Sequence, residues 1–210
     1  AIFFKGEWAS GFDKTLKEEM PFYKTSGIVN VPMMKQKSAF NVYEGNGFAI
    51  AEFAYGQGNY VMDVILPDRT SSLAGTMNII TDANFNAWIS QMRKRETDVT
   101  FPKFKYGFKK KLKEVLGNMG MGIAFTDAAD FSNISEQNDL LINEVTHQSF
   151  IETDEVGTEA AAATVVEIGL TSAGPSAFEF RMDRPFMFII RETTTNSILF
   201  MGRVADPSSN

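Results

Sequence analysis

The chain contains a single histidine, His147, and no cysteine, which limits the chemistry that its side chains can perform. Hydrolysis by a Ser-His-Asp triad needs a histidine base beside an activated serine, and the sequence has no nucleophile elbow. His147 lies in a strand-like run, residues 140–155, where a lone histidine is more typical of a hydrogen-bonded core position. Thiol catalysis, zinc–thiolate sites and disulfides all require cysteine. We therefore predict that the chain is not an enzyme.

The remaining residues that could hold a metal or a phosphate are not spaced for that purpose. Asp127, Asp130 and Asp139 lack the spacing of a calcium loop. The glycines of GNMGMG follow a predicted helix instead of opening one, so they do not form a phosphate-binding loop. The adjacent acids Glu18 and Glu19 have no apolar pocket that would raise a carboxyl pKa. We expect no metal and no cofactor.

Charge is unevenly distributed along the sequence. The chain carries a net charge of −6, which argues against broad affinity for nucleic acid. The segment 93–113 has nine Lys or Arg against two acids and could attract an anionic polymer, although such a run is usually a solvated face. Phe104, Tyr106 and Phe108 alternate with lysines there, a pattern shared by base-stacking sheets and half-buried strands. We interpret these aromatic residues as core and predict no nucleic-acid partner.

An alanine-rich segment, EVGTEAAAATVVEIGLTSAGPSAF, occupies residues 155–178. Helix propensity favours a helix that begins at Glu159 and is capped by Thr158. The flanking residues argue for extended structure, because a strand ends near Asp154, two β-branched valines follow the alanines, and residues 169–176 have no periodicity. The local pattern alone leaves both the helix and the extended segment as alternatives.

The elements that must position these residues are mostly strands. β-Rich runs cover residues 28–34, 39–44, 48–55 and 59–68, and helical spacing appears at 84–94 and 111–120. Further strands are predicted within 140–155, 178–194 and 198–207. No repeat or linker divides the 210 residues, so we predict one α+β unit. No apolar run is long enough to span a membrane, and we expect no membrane partner.

Seven motifs, in order along nearly the whole chain, resemble the serpin family: FFKGEW, VPMMKQ, VILPD, FPKFKY, LGNMGMGIAFTDAADFSNIS, GTEAAAAT and DRPFMFIIRETTTNSILFMGRVADP. The resemblance implies the serpin fold, three β-sheets with surrounding helices and an exposed reactive loop at about residues 157–178. It identifies residues 1–210 as the C-terminal part of a single serpin domain. The first residues, AIFFKGEWAS, indicate a buried strand with no initiating methionine, so we expect a missing N-terminal part to be a partner of this chain.

For an inhibitory serpin, the resemblance implies that the loop is bait for a protease and that its N-terminal arm inserts into the main sheet after cleavage. Small side chains suit that insertion, and Gly157 supplies a flexible pivot. The two-residue period of a strand divides the hinge residues after Gly157 between two faces. The inward face holds Thr158, Ala160, Ala162 and Thr164, and the other face holds Glu159, Ala161 and Ala163. The inward face therefore carries no proline and no charge. The alternative is a serpin-fold carrier or chaperone that does not inhibit.

The resemblance also implies roles for individual residues. Family spacing places the reactive bond between Thr171 and Ser172, with Leu170 as the alternative and Gly169 also open. The sheet-opening region would contain Trp8, an ion pair between Lys103 and Glu155, and His147 near the middle of the sheet. Expected targets are elastase-like, subtilisin-like or papain-like proteases, at an extracellular or cell-envelope location. Asn133 begins a sequon that carries a glycan only in a source that glycosylates.

Overall fold

A computed structural model of the chain describes residues 2–16, 18–135, 140–158 and 177–209. The hinge residues 159–164 and the predicted reactive bond, with Gly169, Leu170, Thr171 and Ser172, lie outside the described residues, as does Asp139. The chain forms two compact units. The smaller unit comprises residues 1–4 and 106–151, and the larger unit comprises residues 5–105 and 152–210.

Short turns connect strands through most of the chain, as the sequence predicts. In chain order the strands and helices are β1 Ile2–Phe3, β2 Gly6–Glu7, β3 Glu18–Lys24, β4 Gly27–Glu44, β5 Phe48–Tyr55, β6 Tyr60–Pro67, α1 Leu73–Asn78, α2 Asp82–Ser90, β7 Arg93–Pro102, β8 Phe104–Lys111, α3 Lys113–Leu116, β9 Thr146–Thr153, β10 Gly157–Thr158, β11 Phe178–Arg181, β12 Phe186–Glu192 and β13 Ile198–Val204.

The larger unit is built on a sheet with eight strands among the described residues. Its order is β11-β7-β4-β5-β6-β12-β13, and β3 pairs with the first part of β4. β11 runs parallel to β7, with Phe178 opposite Thr97, and the neighbours β4 and β7 are antiparallel from Met33↔Pro102 to Val42↔Arg93. β12 is buried along most of its length because it lies between β6 and β13. A predominantly antiparallel sheet with helices on it is an α+β arrangement.

One interruption that was predicted between two strands of this sheet is wrong. The runs 28–34 and 39–44 were expected to be separate strands, whereas β4 continues through residues 35–38. The polar sequence KQKS suggested an interruption, but its backbone pairs with β7 at Lys35↔Thr100 through Ser38↔Thr97. The ladder therefore holds the backbone extended where side-chain polarity gave no strand signal.

The helices are shorter than their periodicity indicated. α2 begins two residues before the predicted start, because the Thr81 hydroxyl accepts a hydrogen bond from the Asn84 N–H and caps the helix. It ends at Ser90, and the predicted last residues of the helix enter β7. The second predicted helix, 111–120, is helical in α3 only from Lys113 to Leu116 and continues as a π-helical turn, Gly117–Met121, whose Gly120 has φ 102°.

The apolar face of α2 explains its position on the sheet. Phe85 is buried, and Trp88 and Ile89 pack against the same apolar cluster. That cluster comprises Phe48, Ile50, Ile65, Phe85, Met187 and Ile189, drawn from α2 and from three neighbouring strands. Burial of these side chains stabilises the helix on the sheet by about 1.5–3 kcal/mol for each large residue. Within the described part of the chain, no helix is both long and apolar enough to cross a membrane.

The smaller unit contains a sheet of order β1-β9-β8. β1 pairs directly with β9 in parallel, with Ile2 opposite Ser149 and Phe3 opposite Phe150. Lys113 lies over the ring of Phe125, 5.8 Å from its centroid, which holds α3 against the following 3₁₀ turn.

Candidate functional site

The first two residues of the predicted hinge form a short strand. β10, Gly157–Thr158, pairs with β2 antiparallel, Gly157 opposite Glu7 and Thr158 opposite Gly6. Gly157 has φ 144°, and a Cβ atom there would lie 2.3 Å from the Gly6 carbonyl oxygen and 2.5 Å from Glu7 Cα. Glycine is therefore required by close backbone approach as well as by its conformation. The helix considered for the alanine run would begin at Glu159, outside the described residues.

The turn before β10 is held by Asp154. Its Oδ1 accepts hydrogen bonds from the backbone N–H groups of Val156, at 2.9 Å, and Gly157, at 3.1 Å. This Asx turn fixes the direction in which the chain leaves β9. Asp154 belongs to none of the predicted site residues, although an aspartate three residues before a glycine is a recognisable turn signal.

Lys103 and Glu155 form an ion pair in the larger unit. Lys103 Nζ is 2.6 Å from Glu155 Oε2, and their side chains are 27% and 6% exposed. Lys103 follows β7, and its backbone N–H donates to the Pro32 carbonyl, which fixes its position beside β4. The low exposure of the carboxylate makes this pair more than a surface contact. Its role in loop insertion stays a prediction.

Trp8 joins the same region. Its indole Nε1 donates a hydrogen bond to the Asp154 carbonyl at 2.9 Å, and its ring stacks on Tyr55 with centroids 4.5 Å apart. The backbone N–H groups of Trp8 and Phe12 donate to the carbonyls of Val156 and Glu155. The structure thus brings Trp8, Lys103 and Glu155 together around the start of the hinge.

His147 lies in the smaller unit, on β9. Its side chain is half-buried, and its ring lies 6.1 Å from the ring of Phe108. Within the described residues the imidazole makes no hydrogen bond, and a hydrogen-bonded core position and a role in sheet opening stay predictions for His147. Among the described residues, β1 pairs with β9 at Ser149 and Phe150.

The basic run is divided between the two units. Arg93 to Arg95 begin β7 in the larger unit, whereas Lys109 to Lys111 end β8 in the smaller unit. Of the interleaved aromatic residues, Phe104 is buried, Tyr106 is half-buried and Phe108 is 51% exposed. The core assignment is therefore wrong for Phe108, which stands near the exposed end of its strand.

A buried charge cluster that the sequence did not reveal joins three strands of the large sheet. Arg191 Nε donates to Asp63 Oδ2 at 2.6 Å, and its Nη2 donates to Glu52 Oε2 at 2.5 Å. Burial raises the pKa of the Asp63 carboxyl to about 7, an effect that the nearby Arg191 charge opposes. Across the described ranges, no group of three or more His, Cys, Asp or Glu side chains is placed to hold a metal ion.

The family model described as "Serpin (serine protease inhibitor)" matches residues 1–207. The chain belongs to the serpin family. It is 36% identical to Iripin-3 and 37% identical to Iripin-1 of Ixodes ricinus, each over 207 residues, 97% of this chain and 53% of the relative. It is 36% identical to the leukocyte elastase inhibitor of Xenopus laevis over 221 residues, 99% of this chain and 56% of the relative.

Solved serpin structures have the same fold. Human thyroxine-binding globulin superposes with a TM-score of 0.88 at 28% identity, covering 98% of this chain and 55% of that protein. Uncleaved ovalbumin superposes with a TM-score of 0.84 at 31% identity, covering 98% of this chain and 52% of ovalbumin. The serpin chain described here therefore spans about half the length of the relatives it matches.

Proposed function

We propose that this chain is the loop-bearing C-terminal part of an inhibitory serpin that traps proteases as a suicide substrate. The observation that carries the proposal is the small-residue arm 157–164, which follows a strand, β9, that is paired directly and in parallel with β1. A relative of this chain is named as an elastase inhibitor, which supports the same class of function. An extracellular or cell-envelope location and a requirement for the rest of the serpin domain belong to this proposal.

The arm is suited to enter between β1 and β9. It begins after β9 turns at Asp154, so an arm folding back beside β9 would run antiparallel to it and to β1. One parallel pairing would be replaced by two antiparallel pairings, which are slightly more stable per residue. The small side chains of the arm enter without displacing packed residues, and none of the inward positions Thr158, Ala160 and Ala162 carries a charge.

The chemistry is that of the target protease. Its active-site serine attacks the carbonyl carbon of Thr171, the bond to the Ser172 nitrogen breaks, and the amine leaves with the proton that the protease histidine delivers. An ester then links the protease to Thr171, and insertion of the arm distorts the protease before water hydrolyses that ester. A papain-like protease would form the corresponding thioester, most readily at Leu170.

The loop sequence favours proteases with shallow or apolar specificity pockets. Thr171 has no positive charge for a trypsin-like pocket and no large ring for a chymotrypsin-like one. Among residues after Thr171, the first basic residue is Arg181, which is half-buried in β11 and pairs with Thr100 of β7. A trypsin-like protease would have to pull β11 from the sheet to cut there. We expect elastase-like and subtilisin-like proteases to be trapped.

The decisive experiment incubates the full-length protein with elastase, subtilisin, papain, trypsin and chymotrypsin. We expect a denaturant-resistant complex with elastase or subtilisin, and mass spectrometry should find a released fragment that begins at Ser172. The matched control is the same protease with its catalytic serine replaced by alanine, which should form no covalent complex. Cleavage without any covalent complex would instead support a non-inhibitory carrier or chaperone. Complexes with trypsin alone would overturn the assigned reactive bond.

A further inference from the structure

An open groove in the larger unit has neither Gly157 and Thr158 nor Trp8, Lys103 and Glu155 among its described lining residues. Its volume is about 630 Å³, against about 250 and 270 Å³ for two others in the same unit. Proteins usually bind small molecules in clefts of about 300–1,000 Å³. It lies where the end of β3, the loop from β6 to α1, the start of β12 and the end of β13 meet.

The floor of the groove is apolar. Met77 of α1 is 36% exposed, and the ring of Tyr23 is 42% exposed, although both are large apolar groups. The other apolar residues that line it are Pro67, Leu73, Ala74, Pro185 and Ala205. Covering this surface would remove apolar area from water, which favours binding of a molecule with an apolar body.

Four cations line the groove, two from strands β3 and β13 and two from loops: Lys24, Arg203, Arg69 and Arg184. Arg184 is fully engaged, since it donates to the carbonyls of Pro67 and Arg181 and to Asp183 Oδ1. Lys24 Nζ pairs with Asp206 Oδ2 at 2.7 Å. These two cations therefore already have acceptors within the protein.

The two other cations remain accessible to a ligand. Arg69 Nη2 pairs with Asp183 Oδ2 at 2.5 Å, but its side chain is 58% exposed and lies 5.7 Å from the centre of the Tyr23 ring. Arg203 is exposed and, within the described residues, makes no hydrogen bond or ion pair. Arg203 is thus a cation of the groove lining that has no counter-ion in the described part of the chain.

The ion pairs around the groove indicate the charge that a ligand should carry. The described lining holds one carboxylate, Asp68; outside the lining, Asp183 pairs with Arg69, Arg184 and Arg181, and Asp206 pairs with Lys24. Of the four cations, Arg203 alone makes no ion pair within the described residues, in a chain whose net charge is −6. An anion with a single charge would neutralise Arg203, and an apolar body would cover the floor.

We propose that this groove binds a small amphiphilic monoanion, with a carboxylate or sulfonate at Arg203 and an apolar body, about the size of a decyl chain, on the floor formed around Met77. The proposal does not rest on the proposed inhibitory function, because its evidence is drawn only from described lining residues of the groove and their partners, which include neither Gly157 nor Thr158.

The test is calorimetric titration of the full-length protein with decanoate, with decanol and decyltrimethylammonium as the uncharged and cationic analogues. We expect saturable binding of one decanoate and weaker binding of the other two. Arg203→Gln should weaken decanoate about fivefold, as expected for loss of an exposed ion pair, and should reduce the salt dependence of binding. Met77→Gln should weaken decanoate and decanol alike. The matched control, Arg93→Gln, removes an exposed arginine of β7 outside the groove and should change nothing.

Three results would overturn the proposal. The first is decanoate binding that Arg203→Gln and Met77→Gln both leave unchanged, because the ligand would then lie elsewhere. The second is equal affinity for decanoate and decanol, because the cation would then play no part. The third is absence of saturable binding, as expected if another part of the full-length protein or a second copy fills the groove.

Discussion

At the scale of single residues, the exposure of an ion pair decides what it contributes. Lys103 with Glu155 and Lys35 with Glu18 have similar separations, 2.6 and 2.5 Å, but the two glutamates are 6% and 59% exposed. Exposed pairs contribute roughly 0–1 kcal/mol, whereas removing one partner of a buried pair costs about 3–5 kcal/mol. The Lys103–Glu155 pair falls between these limits because the lysine is 27% exposed.

We predict that Glu155→Gln in the full-length protein lowers the free energy of unfolding by about 1–3 kcal/mol, because Lys103 loses its buried counter-ion. Glu18→Gln, the matched control, should change it by less than about 0.5 kcal/mol. Thermal unfolding of both variants measures the difference. Equal shifts in Tm would show that burial of Glu155 contributes nothing to the strength of its pair.

Asp63 gives a second residue-level prediction, on pH dependence. Burial raises the pKa of its carboxyl from 3.8 to about 7, so the folded protein binds a proton that the unfolded chain releases near pH 4. The resulting stabilisation is fully present below pH 4 and is lost as the pH rises through about 7. Asp63→Asn keeps the shape of the side chain and leaves Glu52 to pair with Arg191.

We therefore expect the Tm of the wild type to decline between pH 4 and 7 relative to that of Asp63→Asn, which has no such proton to lose. Measuring Tm against pH for both proteins tests this expectation. Parallel curves across that interval would mean that Asp63 stays ionised beside Arg191 throughout.

At the scale of elements, the hinge combines a fixed start with an arm suited to insertion. β10 is held to β2 and the turn at Asp154 is closed by hydrogen bonds, so the arm has a defined point of departure. The two-residue period assigns Thr158 to the face that would be buried on insertion and Glu159 to the opposite face.

We predict that Thr158→Arg converts the protein from an inhibitor into a substrate, because burying an unpaired charge would slow insertion while the reactive bond stays cleavable. Glu159→Arg places the same side chain one residue further on, and we expect it to remain an inhibitor. The readout is the stoichiometry of inhibition, which should rise well above one for Thr158→Arg alone. An equal rise in both variants would reject the assigned faces.

At the scale of the whole molecule, the proposed insertion of the arm predicts a change in stability. Because β1 and β9 are direct parallel neighbours, an inserted arm would add a strand with backbone hydrogen bonds on both sides. We predict that the full-length protein cleaved in the loop unfolds at a markedly higher temperature than the intact protein. Differential scanning calorimetry of the two forms tests this.

Cleaved Thr158→Arg supplies the control for that measurement. It has the same chain break but cannot insert its arm readily, so its Tm should stay closer to that of the intact protein. Equal Tm values for cleaved and intact wild type would indicate a loop that does not insert, as expected of a non-inhibitory serpin.

The sequence by itself determined the family, the strand-rich α+β class and the positions of most strands. These follow from local information, since β-branched and aromatic runs specify strands and ordered motifs specify the family. The ion pair between Lys103 and Glu155 is predicted by the family resemblance and not by any local pattern. Local pattern failed where local signals were weak or in conflict, as in the polar residues 35–38 of β4 and the short helix α3.

Only the tertiary structure decided which distant residues meet. Glu52, Asp63 and Arg191 lie on β5, β6 and β12, and their cluster exists because β6 lies between the other two strands. Arg203 and Met77 meet at one groove for the same kind of reason. The two-residue period of a strand reports which face a side chain occupies, but strand order and register are set by pairing across the whole sheet, which no local pattern encodes.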